Sequence, residues 1–122
     1  MAKKVLLVDD SAGVRGSTAF TLRQNGYEVA EAGGGAQSLE KIQAEGPFDL
    51  VITDISLPDM DGNQLIRAIR QVSDDKFRPI IAMASAAEQS KINDPQLGGA
   101  TAWLLKPFTP SQLMATIGGQ RS

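Results

Sequence analysis

The sequence predicts an α/β fold: a five-stranded parallel sheet with helices on both faces, a doubly wound three-layer sandwich. Three observations carry that prediction. Five short runs rich in Val, Ile and Leu recur along the 122 residues, at 5–8, 27–30, 50–53, 80–84 and 102–105. Helical patterns fill the intervals between them, which is the rhythm of repeated β-α units. The runs are mostly apolar throughout rather than alternating, as expected of strands covered on both faces and joined by right-handed crossovers.

Each interval has its own start and stop signals. Ser11 can cap a first helix in which Val14, Thr18 and Leu22 share a face, and Asn25-Gly26 supplies a left-handed stop before Tyr27. A second helix follows Gly33-Gly34-Gly35, an entry expected to be flexible, with Leu39 and Ile42 facing inward and Gly46-Pro47 ending it. Leu65, Ile66, Ile69 and Val72 give the third helix its apolar stripe, after the turn-forming stretch Leu57-Pro58-Asp59-Met60-Asp61-Gly62. A fourth helical stretch, Glu88 to Leu97, contains Asn93-Asp94-Pro95. Proline deep in a helix costs about 3 kcal/mol or more, so this helix is expected to be short or broken. The last helix opens on Thr109-Pro110-Ser111-Gln112, a capping box with proline at the first helical position, and buries Leu113, Met114 and Ile117. Residues 118–122 read as a frayed tail, and the expectation is one domain over residues 1–122.

Composition narrows the function. The chain is 42% hydrophobic and 21% charged, and no apolar run approaches the roughly 20 residues of a spanning helix. Met1-Ala2-Lys3-Lys4 leads into only four apolar residues, too few for a signal peptide, so the expectation is a soluble cytoplasmic protein with no membrane insertion. There is no Cys and no His, which excludes disulfides, thiol chemistry, imidazole bases and an internal phosphohistidine. A net charge of −2 argues against a nucleic-acid surface, which needs clustered Lys and Arg. Any chemistry falls to carboxylates.

Four segments supply candidates at matching places. Asp9-Asp10, Asp54, Ser85 and Lys106 each directly follow one of the apolar runs, at the carboxyl ends of the first, third, fourth and fifth strands. In an open α/β sheet the ligand crevice lies outside those ends, at the point where strand order reverses, and a 2-1-3-4-5 order brings the four segments together. Taken singly, an acidic pair before a helix is a cap, Ser85 a loop hydroxyl and Lys106 a solvated lysine. Their coincidence at strand ends points elsewhere. Three carboxylates against one ammonium leave two negative charges in excess, and carboxylates so crowded repel one another. A divalent cation relieves that repulsion, and oxygen ligands without His or Cys indicate Mg²⁺ or Mn²⁺ sharing its shell with phosphoryl oxygens. Asp54 can then act as nucleophile, with metal, Lys106 and Ser85 stabilising charge on the transferring group.

These residues resemble a response-regulator receiver domain of the CheY type. The resemblance rests on Val8-Asp9-Asp10-Ser11, Asn25-Gly26-Tyr27, Asp49-Leu50-Val51-Ile52-Thr53-Asp54, Leu57-Pro58-Asp59-Met60-Asp61-Gly62 and Trp103-Leu104-Leu105-Lys106-Pro107-Phe108, and covers essentially the whole chain. It implies a flavodoxin-like sheet and a set of roles. Asp54 is the phosphoacceptor, Asp10 a direct metal ligand and Asp9 a ligand through the metal's water. Ser56 adds its backbone carbonyl, while Ser85 and Lys106 bond phosphoryl oxygens. Trp103 stands where the family carries a switch aromatic, usually Tyr or Phe, and the Lys106-Pro107 bond is expected to be cis. Ala87 and Ser56, small residues both, occupy positions that in the family govern access of water to the aspartyl phosphate.

The resemblance implies a stand-alone phosphorylation switch of the chemotaxis kind rather than a turnover enzyme. It would be charged by a separate sensor histidine kinase or phosphotransfer protein and read by a downstream target such as a motor switch or other effector. Three alternatives stay open. A phosphatase with an aspartate nucleophile, of the haloacid dehalogenase type, usually has a second Asp two residues on, where Ser56 stands. A flavodoxin-like binding protein would meet Asp9-Asp10 where its flavin phosphate must sit. A pseudo-receiver that only binds partners would not need the intact acidic set.

Overall fold

The computed structural model describes residues 3–72, 79–88 and 100–119. Strands β1 (Lys4–Val8), β2 (Glu28–Ala32), β3 (Leu50–Asp54), β4 (Ile80–Ala84) and β5 (Ala102–Leu105) form one parallel sheet in the order β2-β1-β3-β4-β5. The described helices are α1 (Ala12–Gln24), α2 (Gly35–Glu45), α3 (Gly62–Val72) and α4 (Pro110–Gly118). The order reverses between β1 and β3, so the crevice expected of this topology opens beyond Val8 and Asp54.

Side-chain alternation along the strands divides the core into two layers. Val5, Leu7, Leu50, Ile52, Ile81 and Met83 point to one face, where Ala19 and Leu22 of α1 and Leu113 and Ile117 of α4 cover them. Leu6, Val8, Val51 and Ile80 point to the other, beneath Leu65, Ile66 and Ile69 of α3. The three central strands are therefore mostly apolar because both faces are covered, with Lys4, Thr53 and Asp54 the polar residues at their ends. β2 is an edge strand with one neighbour, and its pattern is correspondingly polar, with Glu28 exposed and Glu31 half-buried.

That edge position corrects the sequence reading of β2. The strand runs Glu28–Ala32, not 27–30: Gly26 adopts φ 90, Tyr27 N–H closes the helix end on Leu22 O at 3.1 Å, and pairing begins at Lys4↔Glu28. In α1 the buried face is Thr18, Ala19 and Leu22, while Val14 lies toward solvent, so only part of the expected stripe is inward. Leu39 and Ile42 of α2 are half-buried against the second layer, and Gly35 and Ser38 are its buried residues. The capping box at Thr109 and Gln112 is present with Pro110 in the first turn, and α4 buries Leu113 and Ile117 with Met114 half-buried. The stretch around Pro95 and the tail beyond Gly119 lie outside the described residues, as does the Val72 side chain.

The glycine run before α2 is an anchorage, not a flexible entry. Asp59, from the loop after β3, accepts hydrogen bonds from Gly35 N–H at 2.9 Å and Ala36 N–H at 3.0 Å. Those two donors hold its carboxyl below the ordinary range. A Cβ on Gly35 would meet Met60 Sδ at 2.8 Å, so only glycine lets the loop approach this closely. At the loop's other end Gly62 N–H bonds Ile55 O at 2.7 Å, and a Cβ there would lie 2.6 Å from Ile55 Cα. Asp61 and Gln64 cap α3 reciprocally, at 3.2 and 2.8 Å. The loop carrying Ser56 is thereby pinned to α2 at one side and α3 at the other.

Candidate functional site

The carboxyl ends of β1, β3 and β5 deliver the central cluster. Asp9 follows β1, its N–H bonded to Ala32 O at 3.1 Å, and Asp54 is the last residue of β3. Both are buried, at 1% and 6% exposure, whereas Asp10 is exposed. Lys106 follows β5 and is held by its N–H to Ala84 O at 2.8 Å. From there its ammonium spans the crevice to Asp9 Oδ2 at 2.9 Å and Asp54 Oδ1 at 2.6 Å. The fold thus gathers Asp9, Asp10, Asp54 and Lys106 from three strands, the convergence expected from their positions in the sequence.

Three carboxylates and one ammonium set the local proton balance. For Asp54, burial and the adjacent Asp9, by hydrogen bond and by charge, push the carboxyl up to about 7, and Lys106 only partly opposes them. Asp9 is also raised by burial. Its bonds with Asp54, Lys106 and Ser11 N–H, the last at 2.9 Å, and the Lys106 charge outweigh that and hold it below its ordinary value. Burial works against the Lys106 ammonium, but the two carboxylates more than compensate and raise it. Burial and crowding thus disfavour ionising Asp54 beside Asp9, a repulsion that an added cation would relieve.

The donor set fits such a cation. Asp9, Asp10 and Asp54 each offer a carboxylate oxygen, and these lie within 4.8 Å of one another. Opposite ligands of a small hard divalent ion stand about 4.2 Å apart, twice a bond of about 2.1 Å, so modest side-chain movement closes the site. The same cluster without a cation would leave two buried carboxylates competing for Lys106.

Ser85 and Trp103 lie on the β4 and β5 side, where Ser56 reaches across from the loop after β3. Ser85, half-buried after β4, donates its hydroxyl to Glu88 Oε1 at 3.1 Å, and its N–H reaches the same oxygen at 3.0 Å. Ser56, on the pinned loop, donates its hydroxyl to the other carboxylate oxygen of Glu88. Trp103 is half-buried in β5 against Ile55, Ala82 and Ala84. The Lys106-Pro107 bond is cis as expected, and Gly46-Pro47 is cis as well.

Two contributors escaped the sequence reading. Glu88 stands three residues after Ser85, the Ser-x-x-Glu spacing of a capping box, which is a readable signal. Arg15 reaches back from the first turn of α1 to Asp9 O at 2.7 Å and pairs with Glu31 at 3.3 Å, bracing the strand end that carries the acidic pair. Nothing in the local pattern distinguishes Arg15 from an ordinary helix-surface arginine.

Comparison with known proteins agrees with this geometry. The family model of the response regulator receiver domain matches residues 5–118. The chain is 38% identical over 118 residues to the chemotaxis protein CheY of Bacillus subtilis (strain 168), covering 96% of each. Its fold superposes on the chemotaxis response regulator CheY4 of Vibrio cholerae with a TM-score of 0.88 and 36% identity, over 99% of this chain and 100% of that one. It also superposes on the response regulator TrrA of Thermotoga maritima, solved in complex with Mg²⁺-BeF, with a TM-score of 0.84 and 29% identity over 98% and 99% of the two chains. With the sheet order, the acidic crevice and the bridging lysine in place, the chain belongs to the response regulator receiver domain family and is a signalling module rather than a turnover enzyme.

Proposed function

We propose that this protein is a response regulator, with residues 1–122 forming one receiver domain, that accepts a phosphoryl group on Asp54 and signals through a phosphorylation-dependent protein contact. The observation that carries the proposal is the placement of Asp54: buried at a strand end, beside Asp9 and Asp10, with one oxygen bonded to Lys106 at 2.6 Å. The 38% identity to a chemotaxis protein over 96% of each chain supports an output of the chemotaxis or motility kind, in the cytoplasm, with a motor switch or other effector as target. Receiver domains pair with histidine kinases, and a chain with no His of its own needs its phosphohistidine supplied by a sensor kinase or phosphotransfer protein.

In the transfer, an Asp54 carboxylate oxygen forms the new P–O bond as the P–N bond of phosphohistidine breaks, and the electron pair leaves with the imidazole. Lys106, already on Asp54, shifts one of its donors to a phosphoryl oxygen and offsets the charge that arrives. Ser85 donates to another phosphoryl oxygen once its hydroxyl turns inward, and Trp103, packed at the rim of β5, transmits that movement. Mg²⁺ is the cation the donor set favours, with Mn²⁺ a substitute, and Asp9, Asp10, Asp54 and the backbone carbonyl of Ser56 would hold it. It would supply neutralisation of the carboxylate excess and of the phosphoryl oxygens. Asp9 and Asp10 would orient the ion, and Arg15 fixes the backbone carbonyl of Asp9.

Trp103 is the only tryptophan and therefore the probe. Mg²⁺ should perturb its fluorescence in the parent and in Asp54→Asn alike. Beryllofluoride, a phosphoryl mimic, should produce a second change in the parent alone. A second change of equal size in Asp54→Asn would refute the assignment.

A further inference from the structure

We propose that Glu88 is a latch: one carboxylate that holds the hydroxyls of Ser85 and Ser56 and must release them before the switch can engage a phosphoryl group. The inference rests on the reading of Asp54 as phosphoacceptor and adds to it a positioning residue that sets the threshold of activation. Glu88 is the last described residue of this segment and lies in the 3₁₀ turn seen over residues 86–88, directly after Ser85. Its Oε1 accepts both the N–H and the hydroxyl of Ser85, and its Oε2 accepts the hydroxyl of Ser56, from a loop 32 residues away in sequence.

A simple helix cap does not account for these bonds. In a capping box the glutamate accepts the backbone N–H of the cap residue, as here, while the cap hydroxyl accepts the N–H of the glutamate. In this protein Glu88 N–H goes to Ser85 O at 3.0 Å, and the Ser85 hydroxyl turns round and donates to the carboxylate. Capping also has no use for Ser56. The bond from Ser56 crosses the rim between the loops after β3 and β4, on the side of Asp54 away from Asp9, while the bond from the Ser85 hydroxyl stays within the segment after β4.

Donor arithmetic gives the latch its function. A serine hydroxyl carries one hydrogen, so the Ser85 hydrogen donated to Glu88 is withheld from a phosphoryl oxygen on Asp54. Bonds to a charged carboxylate are stronger than neutral ones, and the incoming group must outcompete one. The pinned loop of Ser56 supplies a fixed post for the carboxylate, since Asp59 and Gly62 hold that loop on both sides. Glu88 thus keeps the hydroxyl half of the switch in its resting position while the acidic half stays ready.

The test is beryllofluoride titration of the full chain at saturating Mg²⁺, followed by Trp103 fluorescence, in the parent, Glu88→Ala, Ser85→Ala and the double variant. Glu88→Ala should tighten apparent affinity about fivefold to tenfold, the scale of the net contribution of one intramolecular hydrogen bond. With Ser85→Ala as background, the same change should move affinity less than about twofold, because there is no hydroxyl left to release. A carboxylate acting only by repelling the anion would tighten binding equally in both backgrounds, and that result would overturn the latch. So would unchanged or weaker binding by Glu88→Ala. Glu88→Gln, which keeps an acceptor for the Ser85 N–H, repeats the test if the alanine variant does not fold, and should tighten binding by a smaller factor. Equal binding by Asp54→Asn would overturn the phosphoacceptor reading beneath the latch, whereas Asp54-dependent binding indifferent to Glu88 would overturn the latch alone.

Discussion

The rim of the sheet has two halves that are built differently. On the β1 and β3 side, Asp9 and Asp54 are buried and already bonded to Lys106, so the chemistry is preassembled and held in electrostatic tension. On the β4 and β5 side, Glu88 takes the hydroxyls of Ser85 and, from the loop after β3, Ser56, and Trp103 lies half-buried on a small apolar cluster. One half is primed to receive charge and the other is parked. The difference separates binding from response: the acidic half explains why a cation and a phosphoryl group are attracted, the hydroxyl half why their arrival has a consequence.

The comparison breaks most completely at Asp54. Asp54→Asn removes the nucleophile and should lower phosphoryl incorporation from a small-molecule donor by more than about a hundredfold, read by intact mass, while leaving the Ser85 and Glu88 contacts in place.

Removing Lys106 attacks the tension in the acidic half. Lys106→Met should destabilise the metal-free protein at pH 7 by about 2–3 kcal/mol in urea unfolding, below the roughly 3–5 kcal/mol of a fully buried pair because the Lys106 side chain is 23% exposed. Saturating Mg²⁺ should recover part of the loss, and a variant as stable as the parent would show that the bridge carries no weight.

The pH dependence sharpens the same half. A carboxyl raised to about 7 in the folded protein from 3.8 binds its proton more tightly folded than unfolded. Its stabilising contribution is complete below about 4 and disappears as pH climbs through 7. Asp9, held low, gives its contribution above its ordinary value and loses it only at more acid pH, and the raised Lys106 loses its own only at alkaline pH. Between about pH 4 and 7 the metal-free parent should therefore lose stability relative to Asp54→Asn, measured as melting temperature against pH. Parallel profiles would contradict the raised carboxyl.

The smallest expected effect tests the pinned loop beneath both halves. Gly35→Ala forces a Cβ against Met60 and should cost about 1–2 kcal/mol, with Met60 flexible enough to absorb some of the strain. Gly62→Ala, which meets backbone at 2.6 Å, should cost more than Gly35→Ala, and the order of the two melting temperatures checks the account.

The sequence disclosed the preassembled half and missed the parked one, for a physical reason. Buried strands leave an apolar signature, and a functional carboxylate or lysine directly after such a run stands out against it; Asp9, Asp54 and Lys106 were legible on those grounds. The edge strand β2 was misplaced because one solvated side erases that signature. Contacts between loops leave no periodic trace. The Asp59 anchorage on Gly35 and Ala36 spans 24 and 23 residues, and the bond from Ser56 to Glu88 spans 32, so the glycines looked flexible and Glu88 stood only as the start of a helical stretch. Only the Ser-x-x-Glu spacing hinted at the second, and it gave the cap without the latch.

The most direct test of the central claim is the location of the phosphoryl group. The full chain is treated with Mg²⁺ and a small phosphoryl donor, the acyl phosphate is reduced with borohydride, and the reduced residue is mapped by peptide mass spectrometry. The account predicts one modified residue, Asp54, and none in the absence of Mg²⁺. Reduction at Asp9 or Asp10, or equal labelling of Asp54→Asn, would contradict it.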